Sequence, residues 1–245
     1  MAKRRKENYG PSPILLWILV LVLIVVIFFL INSALFNVTS ITVYGAQRFS
    51  AQEIITASGI TYDTNIIYVD EESARQGIEQ NPYLRVDDIK RTFPTGVEIY
   101  VTERTPIAQI ATVNGYYVID KEGVALGLNE IADDRLISIL NMAIIEPQLG
   151  STLVTENTEK LDAVAKVLTA AEKYELLQKI KSIDVSDPVK IVLEYEGDIT
   201  VKITDGDSAD LKLSRLESAV AAAGDKLSAG AVLNMENEGG YYISQ

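Results

Sequence analysis

The chain has 245 residues and a net charge of -12, with no cysteine and no histidine. That composition excludes disulfides, thiolate and imidazole metal ligands, and Ser-His or Cys-His catalysis. Four of the 22 basic residues but only one of the 34 acids lie in the first thirteen positions, which leaves 18 basic against 33 acidic side chains in the remainder. A surface that acidic repels phosphate backbones, so nucleic acid is not an expected partner.

The run Ile14 to Ile31 is 18 residues without a polar or charged side chain. At 1.5 Å per residue it is about 27 Å long, close to the hydrocarbon thickness of a bilayer. Its apolar character on every face argues against a buried soluble helix. A cleaved signal peptide has a shorter apolar region, about 7–15 residues, and Asn32-Ser33-Ala34 is a poor cleavage site. Lys3, Arg4, Arg5 and Lys6 precede the run, and the first charge after it is Arg48. The positive-inside rule therefore predicts a cytoplasmic N-terminus and an extracytoplasmic C-terminus, with Trp17 near the inner interface. The expected division is a basic tail over 1–13, a transmembrane helix over 14–35 with its spanning core at 14–31, and two folded modules over 36–105 and 106–245.

The first module reads as β-α-α-β-β. Thr39, Ile41 and Val43 alternate with Val38, Ser40, Thr42 and Tyr44 before Gly45. Ser50 and Glu53 have capping-box spacing, Phe49 and Ile54 suit a hydrophobic staple, and Gly59 suits a left-handed helix end. Asp70 opens a second helix that stops at Asn81-Pro82. Leu84 to Phe93 reads as a strand, turned by Pro94-Thr95-Gly96 into Val97, Ile99 and Val101.

In the second module Asn114-Gly115 and Asp120-Lys121-Glu122-Gly123 are turn signals bracketing Tyr116-Tyr117-Val118-Ile119. Leu136 to Leu140 reads as a buried strand. Asn157 caps a helix carrying Leu161, Val164, Ala165, Leu168 and Ala171 at helical spacing. Ile180 to Val185 is a strand, and Val189, Ile191, Leu193 and Tyr195 alternate strictly. Glu196-Gly197-Asp198 turns the chain into Ile199, Val201 and Ile203. Lys212, Leu213 and Leu216 begin an amphipathic helix, followed by a strand Ala231 to Met235 and the terminal Tyr241-Tyr242-Ile243.

A membrane helix leading directly into Phe36-Asn37-Val38-Thr39-Ser40-Ile41-Thr42-Val43-Tyr44-Gly45 resembles the start of a POTRA domain. The resemblance continues through Ile66-Ile67-Tyr68-Val69-Asp70, Asn81-Pro82-Tyr83-Leu84, Arg91-Thr92-Phe93-Pro94 and Val101-Thr102-Glu103-Arg104-Thr105-Pro106. With the tyrosine-rich strand before Asp120, the chain resembles the FtsQ/DivIB family of bacterial cell-division proteins along nearly all its length. The resemblance implies an α+β architecture: one N-terminal transmembrane helix, a POTRA domain and a larger mixed β domain. It implies a non-enzymatic scaffold concentrated at the division septum, bound to FtsL-like and FtsB/DivIC-like coiled-coil membrane proteins and linking them to septal peptidoglycan synthesis. Where the family often carries an Asp-Leu-Arg-like triplet late in the β domain, this chain has Asn234-Met235-Glu236, so no charge-specific contact is carried over there.

Two interaction surfaces are expected. Val232, Leu233, Asn234 and Met235, with Tyr241, Tyr242 and Ile243 along their edge, form a partner-binding strand edge suited to adding a strand from another chain. Leu84, Arg85, Asp87, Lys90 and Arg91 form a candidate recruitment surface on the POTRA module. No catalytic, cofactor-binding or metal-binding residue is expected. The competing reading, an extracytoplasmic cell-wall hydrolase or transpeptidase, needs an acid pair such as Asp120 with Glu122, Asp133 with Asp134, or Asp205 with Asp207. Each pair reads instead as solvated turn residues. Asp205-Gly206-Asp207 lacks the register of an EF-hand, and Gly239-Gly240 is not followed by a phosphate-loop Lys. An outer-membrane transporter would need a β barrel, for which too few residues remain.

Overall fold

A computed structural model describes residues 13–145, 147–224, 227, 229–236 and 240–244. The basic cluster Lys3, Arg4, Arg5 and Lys6, and Glu238 and Gly239 near the C-terminus, lie outside the described residues. The chain divides into two compact units, one of residues 1–78 with 86–102 and one of residues 79–85 with 103–245.

The first unit begins with helix α1 (Pro13–Ile31), whose apolar side chains are largely exposed. Nineteen residues give about 28 Å, long and apolar enough to cross a membrane. A 3₁₀ turn, Ala34–Phe36, leads into strand β1 (Ser40–Tyr44). Helix α2 (Ala51–Ser58) starts on a reciprocal capping box: Glu53 N–H donates to Ser50 Oγ, and Ser50 N–H donates to the Glu53 carboxylate at 2.8 Å. It ends on Gly59 at φ 68°, the left-handed conformation a Cβ disfavours. Helix α3 (Glu71–Glu79) is capped by Asp70, whose Oδ1 accepts from the amides of Glu72 and Ser73.

Strands β2 (Leu84–Thr92) and β3 (Gly96–Glu103) complete a three-stranded sheet in the order β1-β3-β2, with β1 parallel to β3. Ile54, Ile66, Ala74, Ile78, Val86, Ile89, Val97 and Ile99 form this unit's core, each at most 5% exposed. Val38 is also fully buried, but it lies before β1 and bonds to the loop at Asp63–Thr64 instead of continuing the strand.

The second unit is a nine-stranded mixed sheet. Its strands are β4 (Ala108–Thr112), β5 (Gly115–Ile119), β6 (Ala125–Asn129), β7 (Ile137–Leu140), β10 (Ile180–Asp187), β11 (Lys190–Tyr195), β12 (Ile199–Ile203), β13 (Val232–Asn234) and β14 (Tyr242–Ser244). The order is β14-β13-β12-β11-β10-β7-β4-β5-β6. β4, β7 and β10 run parallel in the middle, β12 and β13 are parallel, and the other neighbours are antiparallel. The two-residue strands β8 (Ile144–Ile145) and β9 (Val154–Thr155) pair separately.

Helices α4 (Thr158–Lys173) and α5 (Ala209–Ala223) share one core with the inward positions of the sheet: Val164, Val167, Leu168, Leu213 and Leu216 meet Ile139, Ile183, Leu193, Val201 and Leu233. Asn157 caps α4 by accepting from the Glu159 amide. The strict alternation fails at one position: Val189 is 56% exposed, because it belongs to the Asp187–Pro188 turn, where its N–H is held by the Asp187 carboxylate.

Candidate partner-binding edge

β14 is an outermost strand of the nine-stranded sheet, and among the described residues its one hydrogen-bonded neighbour is β13. The register is Val232 with Ser244, Leu233 with Ile243 and Asn234 with Tyr242. Alternation then sorts the side chains. Leu233 is fully buried and Ile243 packs beside it on the helix-covered core. Tyr242 and Ser244 take the opposite face, and Tyr242 is 51% exposed. Tyr241, just outside the strand, lines a hollow of about 260 Å³ with Lys212, Arg215 and Met235.

Of the seven residues expected at this edge, Leu233, Asn234 and Met235 are buried. Asn234 bonds locally, its amide side chain to the carboxylate and backbone of Glu236. Leu233 and Met235 lie on the core side, Asn234 shares the face of its register partner Tyr242, and Tyr241 and Tyr242 are exposed.

The residues expected on the POTRA surface do not form one face. Leu84 is 4% exposed and fills the interior. Arg85 pairs with Glu122 at 3.0 Å. Lys90 lies over the Tyr100 ring at 4.8 Å, and Tyr100 stacks on Tyr44 at 4.9 Å, so a cation and two aromatic rings run across β2, β3 and β1 on the sheet's exposed face. Arg91 is turned towards α3, with its guanidinium on Glu71 and the carbonyls of Ile67 and Val69. Adjacent strand residues point to opposite faces, which is why Lys90 and Arg91 separate. Asp87 accepts from Thr102.

Of the acid pairs, Asp120 departs from its reading as a solvated turn residue. Asp120 is only 4% exposed. Its Oδ1 accepts from the amides of Glu122 and Val124 at 2.9 and 2.8 Å, and its Oδ2 takes a hydrogen bond from Arg104. Glu122 bonds the same guanidinium at 3.0 Å. That hydrogen bond, against some burial, holds the Glu122 carboxyl below the usual carboxylate range, with Arg85 adding to it. Burial opposes the charge on Arg104, but the two carboxylates outweigh it and raise its pKa.

Asp133 chelates Arg135 and is lowered to about 2 by those hydrogen bonds. Asp205 accepts from the Ser208 amide at the start of α5, and Asp207 pairs with Lys166. Asp120, Glu122, Asp133, Asp205 and Asp207 are each engaged by a cation or a backbone amide. Among the described residues no group of three acids is placed to hold a metal ion.

Residues 36–104 match the family described as POTRA domain, FtsQ-type. The FtsQ cell-division protein of Myxococcus fulvus is 24% identical over 212 residues, covering 84% of this chain and 72% of its own. DivIB of Clostridium tetani is 23% identical over 181 residues, covering 74% and 68%. The major extracytoplasmic domain of DivIB from Geobacillus stearothermophilus superposes with a TM-score of 0.35 at 15% identity, covering 51% of this chain and 97% of that domain. The first module matches the FtsQ-type POTRA domain, an apolar helix precedes it, and along most of its length the chain is similar to cell-division proteins of the FtsQ and DivIB kind.

Proposed function

We propose that the protein is a non-enzymatic scaffold, anchored by α1 with its N-terminus in the cytoplasm, that gathers other single-pass division proteins at the septum and links them to septal wall synthesis. The observation that carries this reading is the open edge at β14: an outer strand whose backbone has, among the described residues, one sheet neighbour and whose Tyr242 is half exposed. A partner segment adds there as a further strand, and its backbone supplies the hydrogen bonds.

Magnitude decides what else the edge must provide. β14 has three residues, so strand addition gains two or three hydrogen bonds, each worth about 1 kcal/mol net. Micromolar binding needs about 8 kcal/mol. Most of the affinity therefore comes from side chains, with Tyr241 and Tyr242 as anchors and the hollow beside Lys212 and Met235 as a receiving pocket. The expected occupant is the membrane-distal end of an FtsB/DivIC-like chain, with an FtsL-like chain in the same complex. The exposed Lys90-Tyr100-Tyr44 ladder is the narrowed recruitment surface of the POTRA module.

The test is co-purification of the full-length chain with FtsL-like and FtsB/DivIC-like proteins from membranes, with and without residues 240–245. Loss of the partners on truncation, at unchanged protein level, is the expected result. Full retention overturns the edge. Septal localisation of a tagged chain, and filamentous growth on depletion, test the division-site role separately.

A further inference from the structure

We propose that the POTRA loop 61–68, together with Leu35, is seated in the headgroup layer of the membrane that α1 crosses, so the domain touches lipid beside its anchor. The proposal rests on the reading of α1 as a membrane span. A helix of about 28 Å set against a hydrocarbon core of about 30 Å brings Ile31, its last residue, to the outer boundary of that core.

The loop is fastened at that level. Asn65 Nδ2 donates to the Ile31 carbonyl at 2.6 Å, satisfying one of the helix's free terminal carbonyls. Tyr68 Oη donates to Asn32 Oδ1 at 3.1 Å. Val38 N–H donates to the Thr64 carbonyl at 2.8 Å, Asp63 N–H returns to the Val38 carbonyl at 3.0 Å, and Asn37 bridges Asn65. Residues 61–68 are thus laced to the chain within a few residues of the helix end.

The side chains presented there fit an interface. Leu35 is 65% exposed, Tyr62 52% and Tyr68 62%. Isolated exposed apolar residues are ordinary on a protein surface. These three differ in being held where the hydrocarbon ends. The headgroup layer adds about 5–7 Å on each side of the core, about the length of a tyrosine ring with its hydroxyl. Tyrosine concentrates at that depth because its ring is apolar and its hydroxyl is wet. Between Ile54 and Val69 the sole charged residue is Asp63, so little opposes seating in lipid.

The absence of native cysteine allows a direct test with single-cysteine spin labels in the full-length chain, reconstituted in phosphatidylcholine/phosphatidylglycerol nanodiscs. Leu35→Cys and Tyr62→Cys report the loop. Ile24→Cys reports the middle of α1, and Val113→Cys, at a fully exposed hairpin tip, reports water. The readout is accessibility to oxygen relative to a water-soluble nickel chelate. The expected ratio at 35 and 62 is several-fold above that at 113 and below that at 24. Ratios at 35 and 62 equal to that at 113, with 24 still lipid-buried, overturn the proposal and leave α1 as a span. A water-like ratio at 24 overturns the span and the proposal with it. Both loop positions are exposed, so matched melting curves are expected, and agreement between the two sites guards against a local distortion at either one.

Discussion

Arg104 reaches Asp120 across sixteen residues of chain, and its guanidinium also holds Glu122. Arg104 is 14% exposed at its side chain and Asp120 6%. Breaking a buried pair by removing one partner strands the other charge, a loss of about 3–5 kcal/mol. Glu122 remains to shelter Arg104, so Asp120→Ala is expected at the low end, about 3 kcal/mol. Asp120→Asn keeps an oxygen for the amides of Glu122 and Val124 and is expected to lose less. Thermal melts of the detergent-solubilised chain separate the two. Equal, negligible losses would show that the pair is not structural.

Acid should weaken the second unit from a definable pH. Glu122 and Asp133 are both held below ordinary carboxylate values, Asp133 at about 2. Acids depressed on folding contribute stability above their unfolded pKa, about 4, and that contribution is lost as pH falls through the folded values. The melting temperature should therefore be flat near neutrality and fall from about pH 4 towards pH 2. Arg135→Ala removes the largest cause at Asp133, and its carboxyl titration, followed by NMR, should move up towards about 3.9. An unmoved titration would refute the assignment of cause.

Gly77 sets helix propensity against packing. Glycine inside a helix is worse than alanine by about 1 kcal/mol, so propensity alone favours Gly77→Ala. A Cβ at Gly77, however, would stand 2.3 Å from the backbone carbonyl oxygen of Ala57 at the end of α2. A backbone atom cannot yield as a side-chain tip does, and overpacking of this kind costs about 1–3 kcal/mol. Net destabilisation of the first unit is expected. A raised melting temperature would show that α2 and α3 can separate without loss.

The orientation of α1 is tested by tags at the two ends. The motive is the charge contrast between Lys3, Arg4, Arg5 and Lys6 and the uncharged residues 32–47. A tag after Gln245 should be cleaved by protease added to spheroplasts, and one before Met1 protected. Replacing the four basic residues by acids should erode that pattern. The reverse pattern in the native chain would place the folded units in the cytoplasm and end the scaffold reading.

Much of the fold is legible because its signals are local. The Ser50–Glu53 box, the left-handed Gly59, the Asp70 and Asn157 caps and the alternation Ile191-Leu193-Tyr195 each lie within a few residues and act through the backbone. What escapes is set by distant partners. Lys212, a charged residue within the amphipathic run that includes Leu213 and Leu216, is only 4% exposed in the fold. Asp120 reads as a turn acid until Arg104 is found beside it. β8 and β9, two residues each, are too short to carry a period. At the candidate edge the sequence marks the tyrosines, but only the β13–β14 register separates outward Tyr242 from inward Ile243.

That separation makes a paired test of the edge. Tyr242 is half exposed on the open face, so Tyr242→Ala removes little from the folded core. As a binding anchor its truncation should lose about 1–2 kcal/mol of affinity, roughly five- to thirtyfold, for an FtsB/DivIC-like partner. Ile243 faces the other way and packs on the core beside Leu233. Ile243→Ala should instead lower stability by about 1–2 kcal/mol, in proportion to its partial burial, and affect binding only through that loss. Binding isotherms and melts on both variants therefore give opposite signatures if β14 is the docking strand. Unchanged affinity for Tyr242→Ala together with a clear loss of stability would mean that the tyrosine serves its own sheet, and the partner docks elsewhere.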